Sequence, residues 1–242
     1  NIGDWLDPSV PCLASGMITS KQGWIETPYV PCPASHAALI AKIVRHRLSD
    51  GVEIAFVPGV RQEGGIYDVM RGEETQILGV MDEGLAVHPG THAKWARVRD
   101  GAIVDFSTFM TGELFSVLLD YSILGRLAEG RSDDAQAFNR GVEAGARAAE
   151  GGALTHELFG ARSLALAGEL APSAVGGYLS GLLIGCEIAC APKTLAADNE
   201  TPIVFGGLAL VEQYLNAFAA LGRKAERGPD DATIKGLMKI AR

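Results

Sequence analysis

Aromatic residues are scarce in this chain of 242 residues, at 7%, and basic residues are outnumbered: 21 Lys and Arg stand against 29 Asp and Glu, for a formal net charge of −8. The acidic balance argues against nucleic-acid binding, which draws on a basic patch. It leaves small anionic substrates open, because a pocket needs only a few well-placed cations. Cysteine is limited to Cys12, Cys32, Cys186 and Cys190. They have no metal-ligand pattern and build no disulfide framework, and Cys186 and Cys190 read as small core residues four apart in an apolar helical run. With no secretory signal peptide recognisable, a cytoplasmic location is expected. Long hydrophobic runs are missing too. The longest, Val175 to Ala191, is short for a bilayer and is interrupted by Gly176, Gly177, Gly181, Gly185 and Glu187. A buried helix packed closely on its glycine face is expected there, and no membrane partner. There is no Walker P-loop, no Gly-x-Ser-x-Gly elbow and no Rossmann glycine fingerprint. The histidines, among them His36, His46, His88 and His156, form no pair at metal-ligand spacing, so no protein-built metal site is expected.

What remains is ordinary globular composition, 48% hydrophobic and 21% charged, enough for one large domain or two small ones. Val10–Ser15 reads as a strand, followed by a Gly-, Pro- and Trp-rich loop from Met17 to Pro33. A helix is expected over Pro33–Leu48, a strand over Val52–Val57, an irregular segment over Val60–Gly72 and a helix over Glu73–Met81. Leu85–His88, Lys94–Val98 and Ala102–Phe109 read as an antiparallel meander, with Asp100-Gly101 as a hairpin turn. Helices follow over Thr111–Leu124, Asp133–Glu150, Thr155–Leu170, Ser173–Ala191, Leu208–Leu221 and Asp231–Ala241. Pro202–Phe205 is the one strand expected in that half. The class is α/β with strands and helices segregated, and a domain change is expected near Gly84.

Four places carry chemistry-bearing residues. Gly90-Thr91-His92 turns the chain between two strands and offers N–H groups and a hydroxyl to phosphate oxygens; an ordinary hairpin is the alternative. Arg71-Gly72-Glu73-Glu74 opens a helix. It reads either as helix-start chemistry or as a general base beside an arginine that clamps an anion. Gly206-Gly207 follows a short strand, where a flat ligand could lie against backbone or the chain could merely turn. The Gly16–Trp24 loop, with Ser20, Lys21 and Trp24, suits a hydroxylated ligand or plain surface.

Several strings resemble, in order, one family. They include Ser15-Gly16-Met17-Ile18, Gly23-Trp24 with Pro28-Tyr29, Val69-Met70-Arg71-Gly72-Glu73-Glu74-Thr75-Gln76 and Pro89-Gly90-Thr91-His92-Ala93-Lys94-Trp95. Met110-Thr111-Gly112-Glu113-Leu114, Leu158-Phe159 with Arg162, and Leu179 to Gly185 continue the series. From about Pro11 onward the chain resembles the 2-dehydro-3-deoxygalactonokinase family of the sugar-kinase and actin-like ATPase superfamily. The resemblance implies a two-lobed, ribonuclease H-like fold that binds ATP in its cleft. It places the remainder of a first lobe at 1–84, a second, nucleotide-side lobe at 85–225 and a C-terminal helix at 226–242 packing back toward the first.

The reaction implied is transfer of the γ-phosphoryl group of MgATP to the 6-hydroxyl of 2-dehydro-3-deoxy-D-galactonate. By the same resemblance Glu73, or alternatively Glu74, is the catalytic base. Ser20, Lys21, Trp24, Arg71 and Arg162 are placed on the sugar acid, and Gly90, Thr91, His92, Lys94, Gly206 and Gly207 on the nucleotide. ATP, Mg²⁺ and the sugar acid are the implied partners, and a homodimer is open. The superfamily also opens with an Asp-x-Gly-Ser/Thr phosphate turn that does not occur in this sequence. An incomplete first lobe with little kinase activity is therefore expected. A non-catalytic binding fragment and a kinase for another 2-keto-3-deoxy sugar acid are the other readings.

Overall fold

The structure, a computed structural model, describes residue 7 and residues 9–49, 51–130 and 134–241. In chain order it runs β1 (Cys12–Ala14), β2 (Tyr29–Pro31), β3 (Ala34–Ser35), α1 (His36–Ile40), β4 (Val44–Arg47), β5 (Glu53–Phe56), β6 (Gly59–Gln62), β7 (Asp68–Met70) and α2 (Glu73–Val80). The meander β8 (Gly84–His88), β9 (Ala93–Arg99) and β10 (Ala102–Phe109) follows. Beyond it come α3 (Thr111–Tyr121), α4 (Ala135–Gly151), α5 (Leu154–Leu166), α6 (Val175–Thr194), β11 (Ile203–Val204), α7 (Leu208–Ala220), β12 (Glu226–Arg227) and α8 (Ala232–Ile240). The class is mixed α/β. Two compact units divide it. The first holds the chain up to Ala86, Ala96–Phe106 and the chain from Pro229; the second holds Val87–Trp95 and Ser107–Gly228.

In the first unit β5 pairs in parallel with β1, Cys12 opposite Ile54, and antiparallel with β4, Val44 opposite Phe56. Val52, Ile54 and Phe56 pack there with Val44 and Leu48. This corrects the helix expected over Pro33–Leu48. The helix lasts only from His36 to Ile40, started by Ser35, whose Oγ accepts from Ala38 N–H at 3.3 Å. Val44 to Arg47 alternates half-buried and exposed, a period of two that a neighbouring strand can use and a helix cannot. The irregular segment expected over Val60–Gly72 is corrected as well. Within it β6 and β7 form a hairpin, Val60 opposite Met70, beside β2. Polar residues such as Arg61 and Gln62 conceal that hairpin in the sequence.

The Asp100-Gly101 turn is as expected, with both residues at positive φ, 50° and 68°, as a primed hairpin turn requires. Helix α2 packs against α8 through two glycines. A Cβ on Gly79 would lie 2.6 Å from Gly236 N, and one on Gly236 would lie 1.9 Å from Thr75 O. Lys239 Nζ adds a hydrogen bond to Leu78 O at 3.0 Å.

The second unit is mostly helical. Its start of α4 falls at Ala135; Asp133, where that helix was expected to begin, lies outside the described residues. α6 is long and apolar enough to cross a membrane by length and composition, but 72% of that stretch is buried inside the protein. It packs on α4 along a glycine face, as its sequence suggests. A Cβ at Gly181 or Gly185 would lie 2.1 Å from Phe138 O or Val142 O, and one at Gly145 would lie 1.9 Å from Leu182 O. The backbones therefore approach as closely as only glycine allows. β12, which no sequence signal marks, pairs in parallel with β11, and Phe205 N–H donates to Val87 O at 2.8 Å.

Candidate active site

In the first unit β7 leads into α2 through Arg71 and Gly72. Gly72 has φ 111°, a conformation that favours glycine, and a Cβ there would come 3.0 Å from Gly16 Cα. The turn is held by the helix's own acidic residues. Arg71 N–H donates to Glu73 Oε2 at 3.0 Å, and Gly72 N–H to Glu74 Oε2 at 2.7 Å. Glu73 is half-buried, whereas Glu74 is fully buried. Burial, with the neighbouring Glu73 charge, pushes the Glu74 carboxyl up to about 7, against the hydrogen bonds from Gly72 and Thr75 that favour its ionised form. Thr75 Oγ1 donates to Glu74 Oε1 at 3.1 Å and lies 2.8 Å from Ser15 Oγ. Glu74 is thus committed to the turn, and Glu73 is the more accessible carboxylate of the two.

Arg71 faces the 16–29 segment. Its Nη1 donates to Thr19 O and Thr19 Oγ1, each at 2.7 Å, and to Thr27 Oγ1; Nη2 donates to Thr27 O at 3.0 Å. The guanidinium carbon lies 4.3 Å over the Tyr29 ring, within cation–π range. The Nε–H is buried and has no hydrogen-bond partner. Thr19 and Thr27, both buried, were not singled out from the sequence, because a threonine in a loop gives no signal until its arginine is found. Ser20 Oγ accepts from Gln22 N–H at 3.2 Å, and Lys21 is exposed. Trp24 is 50% exposed with its ring edge against Phe56 and His46. Ser20, Lys21, Trp24, Arg71, Glu73 and Glu74 all belong to this unit.

The nucleotide candidates belong to the second unit, and so does Arg162. That arginine stands on α5 with Nη1 donating to Ile123 O at 3.1 Å. The Pro89–His92 turn is braced by the first residues of α3. A Cβ on Gly112 would lie 2.5 Å from Gly90 O and 2.8 Å from Thr91 Cα. Glu113 N–H donates to Thr91 O at 3.0 Å, and its carboxylate meets His92 Nε2. Lys94, almost fully buried, donates from Nζ to Thr108 Oγ1 at 2.7 Å. Gly206, at φ 126°, lies beside the same turn; a Cβ there would be 3.8 Å from Pro89 O. Gly207 caps α7 at an ordinary φ of −66° with open space around it, so nothing in its surroundings demands glycine.

A cavity of about 930 Å³ opens beside Gly90 and Gly112 and is lined by residues of α3, α4, α6 and α7, including Gly176, Gly177, Ser180, Leu210 and Gln213. Ligand pockets of that size, apolar with a few polar groups, take drug-sized molecules. Gly176 and Gly177 leave its wall free of side chains, and Gln213 Nε2 donates to Ser180 Oγ at 2.8 Å. Among the described residues no three His, Cys, Asp or Glu side chains cluster as metal ligands. Mg²⁺ is compatible with that donor set, because it is commonly held by phosphate oxygens and water with few protein ligands.

Behind the turn lies Glu187, 2% exposed. It accepts from Trp95 Nε1 at 2.7 Å, from Tyr214 OH at 2.9 Å and from the Thr111 hydroxyl. Burial lifts its carboxyl to about 7 although all three donors favour the ionised form. Sequence reasoning met Glu187 only as an interruption of an apolar run. A lone charge in such a run is the signal that could have found this network.

Comparison with known proteins agrees over nearly the whole chain. The family profile described as 2-keto-3-deoxy-galactonokinase matches residues 1–240. The 2-dehydro-3-deoxygalactonokinase of Escherichia coli (strain K12) is 35% identical over 223 residues, 90% of this chain and 74% of that protein. A probable 2-dehydro-3-deoxygalactonokinase of Rhizobium meliloti (strain 1021) is 35% identical over 242 residues, 96% of this chain and 78% of that protein. A crystal structure from Sinorhizobium meliloti, assigned to the same kinase, superposes with a TM-score of 0.85 at 33% identity, covering 98% of this chain and 80% of that one. The chain spans about three quarters of the length of the two curated relatives it matches.

Proposed function

The chain belongs to the 2-keto-3-deoxy-galactonokinase family, and from that premise we propose how its residues share out the ATP-dependent phosphorylation of 2-dehydro-3-deoxy-D-galactonate at the 6-hydroxyl. The fold is that of the actin-like ATPases. The first unit, with Ala96–Phe106 and the chain from Pro229, forms the sugar-acid side, and the second unit, Val87–Trp95 with Ser107–Gly228, the nucleotide side. Packing of α8 on α2 supports the first grouping, and a cavity lined wholly by second-unit residues supports the second.

The nucleoside occupies the 930 Å³ cavity, with Gly206, beside the Pro89–His92 turn, and Gly207 as further nucleotide contacts. The Gly90-Thr91-His92 turn and Lys94 hold the phosphates, the turn through backbone N–H groups. Mg²⁺ neutralises charge on the phosphates when bound. Arg71 orders the 16–29 segment through Thr19 and Thr27, and Ser20, Lys21 and Trp24 of the same unit join it as substrate contacts. Phosphoryl transfer asks mainly for positioning and charge stabilisation.

Glu73 takes the proton of the attacking hydroxyl. Its Oε2 is held by Arg71 N–H, which leaves Oε1 for the substrate. The observation that carries this choice over Glu74 is exposure: Glu73 is half-buried and Glu74 is sealed. The test is Glu73→Gln in a coupled ADP-release assay, with ATP binding followed by calorimetry. A loss of about 100-fold or more in turnover is expected, at unchanged ATP affinity. Normal turnover would pass the role to Glu74.

A further inference from the structure

The Pro89–His92 turn is a short loop, and a loop that binds phosphate must be held before the ligand arrives. Two routes lead from it to one buried side chain. Along the strand that leaves the turn, Trp95 donates its indole N–H to Glu187 Oε1 at 2.7 Å. Along the helix that touches the turn, Thr111 donates its hydroxyl to Glu187 Oε2. The next two residues of that helix make the contacts already described: Gly112 lies against Gly90 and Thr91, and Glu113 bonds Thr91 O and His92. α3 has no side-chain N-cap, since Met110 precedes it. The anchoring of its first turn falls to the Thr111 hydroxyl instead.

We propose that Glu187 is a positioning residue for nucleotide binding, fixing the Gly90-Thr91-His92 turn from both sides through Trp95 and through Thr111–Glu113. This rests on the reading of that turn as the phosphate site. Glu187 touches no substrate itself. Its third donor, Tyr214 OH at 2.9 Å, ties α7 to the same point, so the carboxylate joins the turn and the wall of the cavity.

The test uses the full chain and steady-state kinetics with each substrate varied. Thr111→Val removes the hydroxyl at nearly constant shape, and Thr111→Ser retains it. Thr111→Val is expected to raise KM for ATP about tenfold while KM for the sugar acid stays within about twofold, and Thr111→Ser should restore most of the loss. Glu187→Gln should show the same split to a smaller degree, and it carries the test if Thr111→Val does not fold. If Thr111→Val and Glu187→Gln lower the thermal midpoint but move neither KM, or move both equally, Glu187 is only a core residue and the proposal falls. Gly112→Ala separates this from failure of the underlying reading, because its Cβ would press on Gly90 O and Thr91 Cα. Unchanged ATP affinity in Gly112→Ala removes the turn as the phosphate site, and the proposal with it. Weakened ATP binding in Gly112→Ala with none in Thr111→Val removes only the role of Glu187.

Discussion

Glu74 and Glu187 are equally cut off from solvent, at 0% and 2% exposure, and burial lifts both carboxyls to about 7. They are satisfied in opposite ways. Glu74 takes its hydrogen bonds from Gly72 and Thr75, within two residues along the chain. Glu187 takes its bonds from Trp95, Thr111 and Tyr214, which lie 92, 76 and 27 residues away. The first carboxylate shapes one turn at a helix start, in the unit that carries Arg71 and Glu73. The second ties a strand and three helices together behind another turn. Equal burial thus serves a local device in one place and a long-range joint in the other.

The comparison breaks most directly on stability. Glu187→Leu fills the space but leaves an indole N–H and two hydroxyls without their buried acceptor. A loss of about 3–5 kcal/mol in urea unfolding is expected. Glu74→Leu takes the acceptor from the Gly72 and Glu74 N–H groups beside a half-buried turn, while the Thr75 hydroxyl keeps Ser15 Oγ at 2.8 Å. Its loss should be about 1–3 kcal/mol. Equal losses would mean that the reach of the partners along the chain does not matter.

Titration sharpens the same contrast. Each carboxyl moves from a model-compound value of 4.5 to about 7 in the folded protein, so the folded state keeps a proton that the unfolded state releases. Stability is then greatest near and below pH 4.5, falls as pH rises toward 7, and levels off above it, by up to about 1.4 kcal/mol per pH unit for each group. Replacing either group by glutamine should flatten part of that slope, read as the difference in unfolding free energy between variant and parent across pH 5–7. If the two variants flatten it alike, burial alone sets the titration. A smaller change in Glu187→Gln would show that its three donors offset more of the burial than the local bonds of Glu74 do.

The same division between near and far partners decides what could be read in the sequence. The Arg71–Glu74 helix start, the Gly90 turn, the Asp100-Gly101 hairpin and the glycine face of α6 are local patterns, and each stands where it was expected. Ala37, Ile40, Ala41, Val44 and Leu48 suit a helical period, which predicts helix through the residues of β4. Its actual conformation is set by pairing with Glu53–Phe56, which no window around Val44 contains. The β6–β7 hairpin was hidden by its polar residues for the same reason. At the site, Arg71 was legible as a cation beside a turn, but its hold on Thr19 and Thr27 was not, since those acceptors lie 52 and 44 residues upstream. Glu187 was visible only as a charge out of place, and its meaning depended on Trp95 and Thr111.

The smallest expected effect tests the comparison one hydrogen bond at a time. Thr75→Val keeps the shape of the side chain and removes the hydroxyl shared by Glu74 and Ser15. Ser15 is only half-buried, so water can replace its partner, and Glu74 keeps its bond to Gly72 N–H. A loss below about 1 kcal/mol is expected. Tyr214→Phe removes one donor from Glu187, which is 2% exposed, and should cost about 1–2 kcal/mol. Measured side by side by urea unfolding, the tyrosine change should be the larger. If Thr75→Val proves the costlier, Glu74 depends on its neighbours as tightly as Glu187 depends on its distant partners, and the distinction between a local turn device and a long-range joint fails.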